Sequence, residues 1–217
     1  MVTTKGASEM NYATFKAYLA RFVWRNGDTV FEADLDNMVN MAHARLNRDL
    51  RIQRMVIVAN ADLLADSIAL PANYLEMRTI TSDSPPAPMQ YVSPYERERI
   101  KLANASTFQP IYTIANDALY FVGPMAATDN PARSIIMTYY SKVPDFATTD
   151  TSWLADDYLD LYTYAVLRHT PAYLKEDERV ALWKNEYDET LASVMNAEAG
   201  RRYAGSPLRA PMPGVVA

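Results

Sequence analysis

The sequence predicts an α+β protein: an antiparallel four-helix bundle with a β-rich domain inserted between helices two and three, and an extended C-terminal tail. Three observations predict this fold. Apolar residues recur at helical spacing near both ends of the chain, the middle contains short β-branched and alternating runs, and the last residues are proline-rich without periodicity. The expected boundaries are 1–53 with 144–200 for the bundle, 54–143 for the insert and 201–217 for the tail.

The helical stripes predict where the bundle elements lie. The expected helices span about residues 9–25, 31–52, 150–170 and 177–200. Asn26–Gly27 is expected to end the first helix and Gly200 the last, and Thr29 with Glu32 fits a capping box at the start of the second. The stripes predict a bundle core made of Leu35, Leu46, Trp153, Tyr158, Leu161, Trp183, Tyr187 and Leu191.

The middle of the chain reads as strands and turns. The expected strands are 54–59, 75–80, 111–115, 118–122 and 134–140, with a short surface helix at about 94–103. Asn116–Asp117 can form a two-residue hairpin turn, because Asn and Asp tolerate a positive φ.

Tyrosines on the third predicted helix face in more than one direction. Tyr158, Tyr162 and Tyr164 together span most of its circumference, which indicates neighbours on two sides. The second neighbour is either another subunit or a large core within the chain, and the pattern does not choose between them.

The composition argues against common catalytic chemistry. The 217 residues include no cysteine, which excludes thiol nucleophiles, disulfides and cysteine-ligated zinc. The two histidines, His43 and His169, lie on different predicted helices outside any HExxH pattern, and no phosphate-binding glycine motif occurs. Acidic groups at Asp34–Asp36, Asp156–Asp160 and Glu176–Glu178 lie near helix starts, where the helix dipole favours negative charge. We expect no enzyme, no metal and no cofactor.

Charge and hydropathy restrict partners and location. The formal net charge is −5, so DNA binding through phosphate contacts is disfavoured, although DNA sliding past the protein is not. No apolar run approaches the roughly 20 residues that a membrane span requires. The start MVTTKGASEM lacks the charged and apolar segments of a signal peptide, so we expect an intracellular product made without secretion.

Three segments, in order, resemble one known family. Residues 68–80 (IALPANYLEMRTI) resemble an LP-x-x-[YF]-x-x-x-R strand entry, and residues 139–146 (YYSKVPDF) resemble a YY-x-x-[IV]-P-x-[LF] exit. Residues 153–194 combine an aromatic-rich helix, a PYL-like step at Pro171–Leu174 and a W-x3-Y-x3-L pattern. Together these motifs are similar to tailed-phage head-to-tail adaptor (connector) proteins of the short-tailed type. The tail and the SDSPPAPMQ loop depart from the shared pattern.

The resemblance implies a virion protein at the neck of the particle. It implies a ring, a dodecamer, beneath the portal protein that extends the DNA channel and supplies the tail attachment platform. The implied partners are further copies of the chain, the portal and tail nozzle, tube or fibre proteins, with genomic DNA passing through the lumen. The implied portal-docking residues lie in the tail: Arg201, Arg202, Tyr203, Pro207, Leu208 and Arg209.

Three other functions compete with this expectation. A stopper or tail-completion protein would occupy the neck without touching the portal. A tail-associated hydrolase would use the acidic clusters, but the sequence offers no nucleophile beside a histidine and no glycine-lined pocket. A DNA-binding regulator would need a basic recognition helix, whereas the helices here are acidic or mixed.

Overall fold

The structure is a computed structural model that describes residues 10–63, 67–83, 86–103, 111–122, 133–170 and 177–203. The chain divides into two compact units. Unit 1 is formed by residues 1–53 and 145–217, and unit 2 by residues 54–144. None of the described helices is both long and apolar enough to cross a membrane.

Unit 1 is helical. Its described helices are α1 (Tyr12–Phe22), α2 (Thr29–Asp49), α4 (Phe146–Thr149), α5 (Trp153–Asp157), α6 (Leu159–Leu167) and α7 (Asp177–Tyr203). Unit 2 holds α3 (Pro94–Leu102) beside its strands, and a 3₁₀ turn, Gln53–Met55, lies at the boundary of the two units.

The class α+β holds, but the predicted antiparallel four-helix bundle with a β-rich insert is wrong. The described residues form seven α-helices and two four-stranded sheets. The single helix expected over 150–170 is replaced by the two short helices α5 and α6, and α4 precedes them. Tyr158 separates the last two with a non-helical backbone (φ −137°, ψ 53°). No proline or glycine marks this break, so propensity gives no warning of it.

Aromatic rings hold the core of unit 1 together. The Phe15 ring of α1 lies 4.9 Å from Tyr162 of α6 and 5.5 Å from Phe146 of α4, and Phe146 lies 5.8 Å from Tyr162. All three side chains are fully buried. Tilted contacts between aromatic rings add to the gain from burial alone, so this triad joins α1 to α4 and α6, which come from the other end of the chain.

Helix α6 is buried around most of its circumference by its own chain. It packs on α2 and α7, and through Tyr162 on α1. Its buried residues are Leu161, Tyr162, Thr163, Ala165, Val166 and Leu167. The aromatics that face several directions on this helix therefore have partners within the chain, and they need no second subunit.

The connection from α1 to α2 differs from the expected Asn26–Gly27 stop. Helix α1 ends at Phe22, and Trp24 follows with φ 59°, the left-handed position that usually holds glycine after a helix. That conformation costs an L-residue roughly 1–2 kcal/mol. Helix α2 is capped by Asp28, whose carboxylate accepts from the Phe31 N–H at 3.1 Å, rather than by Thr29.

Unit 2 contains two sheets. Its strands are β1 (Val56–Leu63), β2 (Ser67–Ala69), β3 (Tyr74–Asp83), β4 (Pro86–Pro88), β5 (Gln90–Tyr91), β6 (Ile111–Ala115), β7 (Ala118–Val122) and β8 (Arg133–Ser141). The sheet orders are β1-β8-β3-β4 and β2-β7-β6-β5, antiparallel except for the parallel pair β5–β6. Side chains of both sheets form one core: Ile80, Met89, Tyr112, Leu119, Phe121, Ile135, Met137 and Tyr139.

The β6–β7 hairpin has the turn that the sequence predicts. Asn116 and Asp117 have φ of 49° and 55°, and Ala115 pairs with Ala118 across them. Two consecutive left-handed residues match the right-handed twist of the strands. The Asp117 carbonyl also accepts from the Leu70 N–H at 2.8 Å, which connects the turn to the end of β2.

We predict that Asp117→Val lowers the free energy of unfolding by roughly 1–2 kcal/mol relative to Asp117→Gly, because a β-branched residue is disfavoured at positive φ and glycine is not. Denaturant unfolding followed by circular dichroism measures the difference. The Asp117 side chain is exposed, so lost packing contributes little. Equal stability of the two variants would contradict the turn.

Candidate functional site

The predicted core residues fall into two groups. Leu35, Leu46, Leu161, Trp183 and Tyr187 are buried, at 6% exposure or less, while Trp153, Tyr158 and Leu191 are partly exposed. Tyr158 is the residue at the break between α5 and α6. Its hydroxyl is directed to the C-terminal turns of α7 rather than into an apolar layer.

A buried carboxylate fixes the end of α7. Glu198 is only 4% exposed. One of its oxygens, Oε2, accepts from the backbone N–H of Gln53 at 3.0 Å, and the other, Oε1, accepts from Arg201 at 2.7 Å. The Tyr158 hydroxyl lies 3.5 Å from both Oε1 and the Arg201 guanidinium. We call Gln53, Tyr158, Glu198 and Arg201 the Glu198 anchor.

Hydrogen bonding outweighs burial in the Glu198 anchor. Burial by itself raises the pKa of a carboxyl, yet the Gln53 N–H, the Arg201 guanidinium and the Tyr158 hydroxyl bring the pKa of Glu198 below its ordinary value. A buried charge is tolerated when it is paired and fully hydrogen-bonded. The anchor therefore fastens the last turns of α7 to the residue that follows α2 and to the break before α6.

The anchor changes the interpretation of the predicted docking tail. Helix α7 continues through Gly200 to Tyr203, so Arg201, Arg202 and Tyr203 are helical and the expected stop at Gly200 is wrong. The Arg201 side chain serves the anchor while remaining 68% exposed. Pro207, Leu208 and Arg209 lie outside the described residues.

A second polar network joins α2, α6 and α7. The Tyr187 hydroxyl donates to Asp49 Oδ2 at 2.9 Å, and Arg45 pairs with the same oxygen at 2.5 Å. Arg168, directly after α6, places its guanidinium 5.0 Å from the centre of the Tyr187 ring. Burial and the Asp49 carboxylate raise the pKa of Tyr187. This phenol is therefore a neutral hydrogen-bond donor, and its role in the network is structural.

The histidine and aspartates considered as catalytic candidates make contacts that stabilise the fold. Burial and the nearby Arg168, Arg45 and Arg48 lower the pKa of His169, which is the opposite of a carboxylate-supported general base. Asp36 accepts from Lys16 and Tyr12, and Asp156 accepts from the Met10 N–H. Within the described ranges, no three His, Asp or Glu side chains cluster as metal ligands.

Comparison with known families gives one match. A family model described as SU10 adaptor protein matches residues 10–211, which covers both units and the Glu198 anchor. The chain belongs to the SU10 adaptor protein family. A search of curated proteins finds no significant match to this adaptor.

The family membership confirms the resemblance to phage adaptor proteins. This adaptor is thus a phage structural protein and a component of the virion, and its family implies interaction with other phage structural proteins. The sequence motifs predicted the family, but nothing in the sequence predicted the Glu198 anchor. A glutamate, a glutamine and a tyrosine separated by up to 145 positions carry no local signal, because only the tertiary fold brings them together.

We predict that Glu198→Gln destabilises the adaptor at pH 7 by about 1.5–3 kcal/mol, since it removes the charge from hydrogen bonds to a buried carboxylate. The folded-state pKa of Glu198 is lowered, so its contribution is complete above the ordinary value of 4.5 and is lost as pH falls through the folded-state pKa. The gap between variant and parent should therefore close in acid.

Denaturant unfolding at pH 7 and at progressively lower pH measures this convergence. Glu189→Gln is the matched control, because Glu189 is an exposed glutamate on the same helix. A Glu198→Gln variant as stable as this control at pH 7 would refute the anchor.

Proposed function

We propose that the chain is a head-to-tail adaptor whose copies form a dodecameric ring under the portal protein. The ring extends the DNA channel and provides the platform to which tail nozzle, tube or fibre proteins attach. Family membership over residues 10–211 supports this role most directly. The end of α7, which the Glu198 anchor holds immediately before the C-terminal segment, supports it independently.

The Glu198 anchor suits a docking role because it fixes the point at which a partner-binding segment begins. A segment that orders on binding loses conformational entropy, and a fixed starting point reduces that loss. We assign portal docking to residues after the helix, including Pro207, Leu208 and Arg209, with Arg202 and Tyr203 at its edge. Arg201 positions the segment through Glu198.

The charge of the chain is compatible with a channel that passes DNA. A net charge of −5 in each copy gives a ring an overall acidic potential, which repels the phosphate backbone at long range. DNA then slides through the lumen without a sequence-specific contact. Such sliding requires that the lumen carry no continuous stripe of basic residues.

We predict that removal of residues 204–217 abolishes binding to the cognate portal while the helical unit stays folded, because the cut lies beyond α7 and its anchor. The measurement is co-sedimentation of the purified chain with portal rings, alongside circular dichroism of the free chain. A variant with residues 204–217 in scrambled order controls for length and composition.

Wild-type retention on the portal by the truncated chain would overturn the docking segment. Failure of the intact chain to bind any portal, with binding to tail proteins instead, would favour a stopper or tail-completion protein.

A further inference from the structure

Trp24 combines two locally unfavourable features. Its backbone is left-handed, with φ 59°, and its side chain is 91% exposed. The surrounding hydrogen bonds are those of a helix end that normally contains glycine: the Trp24 N–H donates to the Arg21 carbonyl at 3.1 Å, and the Arg25 N–H to the Ala20 carbonyl at 2.8 Å. Glycine would avoid both costs. A bulky residue at such a position points to a role outside the folding of the monomer.

The neighbours of Trp24 extend it into an amphipathic surface. Phe22 is 44% exposed, and its ring makes a tilted contact with the ring of Tyr18, with centroids 6.0 Å apart. Arg21 and Arg25, which flank Trp24 in sequence, are exposed, and Arg25 lies 3.8 Å from Asp28. Arg21 forms no side-chain hydrogen bond or ion pair within the described part of the chain. We call Arg21, Phe22, Trp24 and Arg25 the Trp24 knob, a composition typical of interaction hot spots.

The same helix pair carries a concave surface. A cleft of about 280 Å³ lies between α1 and α2 and is lined by Tyr12, Ala13, Lys16, Ala17 and Glu32. It is slightly smaller than the roughly 300–1,000 Å³ of pockets that bind small molecules, so it suits a single large side chain. Ala13, Ala17 and the Tyr12 ring contribute apolar surface to its lining. We call it the α1–α2 cleft.

The polar groups of the cleft match those of an indole flanked by cations. Glu32 uses Oε1 to accept from the Gly27 N–H at 3.1 Å, which leaves Oε2 as an acceptor for an indole N–H. The Lys16 ammonium can lie over an aromatic face, as it already does at 5.6 Å from the Tyr12 ring. With Asp36 beside it, the cleft has an excess negative charge, because Glu32 and Asp36 outnumber Lys16. The knob has an excess positive charge, because Arg21 and Arg25 outnumber the neighbouring Asp28.

We propose that the Trp24 knob of one copy of the chain inserts into the α1–α2 cleft of the next copy. The knob and cleft consist of different residues, so the contact is heterologous, and repetition of a heterologous contact generates a closed ring when its rotation closes. The opposite excess charges of the two surfaces select a second copy as the occupant. This inference rests on the proposed ring and supplies its subunit contact.

The absence of cysteine from the sequence permits a direct test by disulfide trapping. Ala13→Cys places a thiol in the cleft and Arg25→Cys places one beside the knob. Along α1 these positions are more than about 15 Å apart, beyond the 7 Å that a disulfide can bridge within one chain. Every disulfide is therefore intermolecular. The variants are oxidised in free solution and on portal rings and analysed by non-reducing electrophoresis.

The proposal predicts that the double variant Ala13→Cys with Arg25→Cys forms a ladder of oligomers. A mixture of the two single variants should stop at a dimer that contains one of each. Ser193→Cys paired with Arg25→Cys is the control, because Ser193 is exposed on α7 of the same unit and should give no ladder. A ladder confined to dimers would show an isologous contact and overturn the ring contact. Retention on portal without any ladder would overturn this inference and leave the adaptor role intact.

A second variant separates interface loss from misfolding. Trp24→Gly should raise the denaturation midpoint of the monomer, because the left-handed strain is relieved, and should reduce self-association on portal at least tenfold. Leu182→Ala, at an exposed apolar residue of α7, should change neither quantity. Full ring assembly by Trp24→Gly would contradict the assignment of Trp24 as the anchor of the contact.

Discussion

Burial of α6 by its own chain is the constraint on which unit 1 depends. The helix carries six buried residues out of nine, so it requires neighbours over most of its circumference. α2 and α7 are two of these neighbours. The aromatic contacts of Tyr162 with Phe15 and Phe146 add α1 and α4. Because these contacts come from both ends of the chain, unit 1 closes only when residues 10–53 and 145–203 meet.

The break at Tyr158 links the start of α6 to the end of α7. A continuous helix through Asp157–Leu159 would have to keep Tyr158 helical, whereas the observed backbone directs its hydroxyl to Glu198 and Arg201. Gln53 and Tyr158, both remote from α7 in sequence, thereby meet Glu198 and Arg201 at the end of that helix. The fold thus prepares a fixed end for the segment that follows, and this physical link connects the core of unit 1 with the proposed docking.

The sequence predicted the local elements better than their arrangement. Periodicity located α1, α2 and five of the eight described strands, and Asn116–Asp117 identified the hairpin turn, because each signal lies within a few residues. The short strands β2, β4 and β5 have no such signal and were not predicted. The four-helix bundle failed because the Tyr158 break has no proline or glycine to announce it. The left-handed backbone of Trp24 could not be predicted for a related reason, because a tryptophan rarely adopts a positive φ. The Glu198 anchor forms through tertiary contacts, so the sequence pattern does not predict it either.

Imaging of the phage particle would show whether this chain forms a ring at the neck in contact with the portal. Electron cryomicroscopy of virions that contain this chain would locate every copy relative to the portal and the tail. We predict a ring in contact with the portal, with residues 204–217 on the portal surface and Trp24 against the neighbouring copy. A chain found only in the distal tail, or at the neck without portal contact, would contradict it.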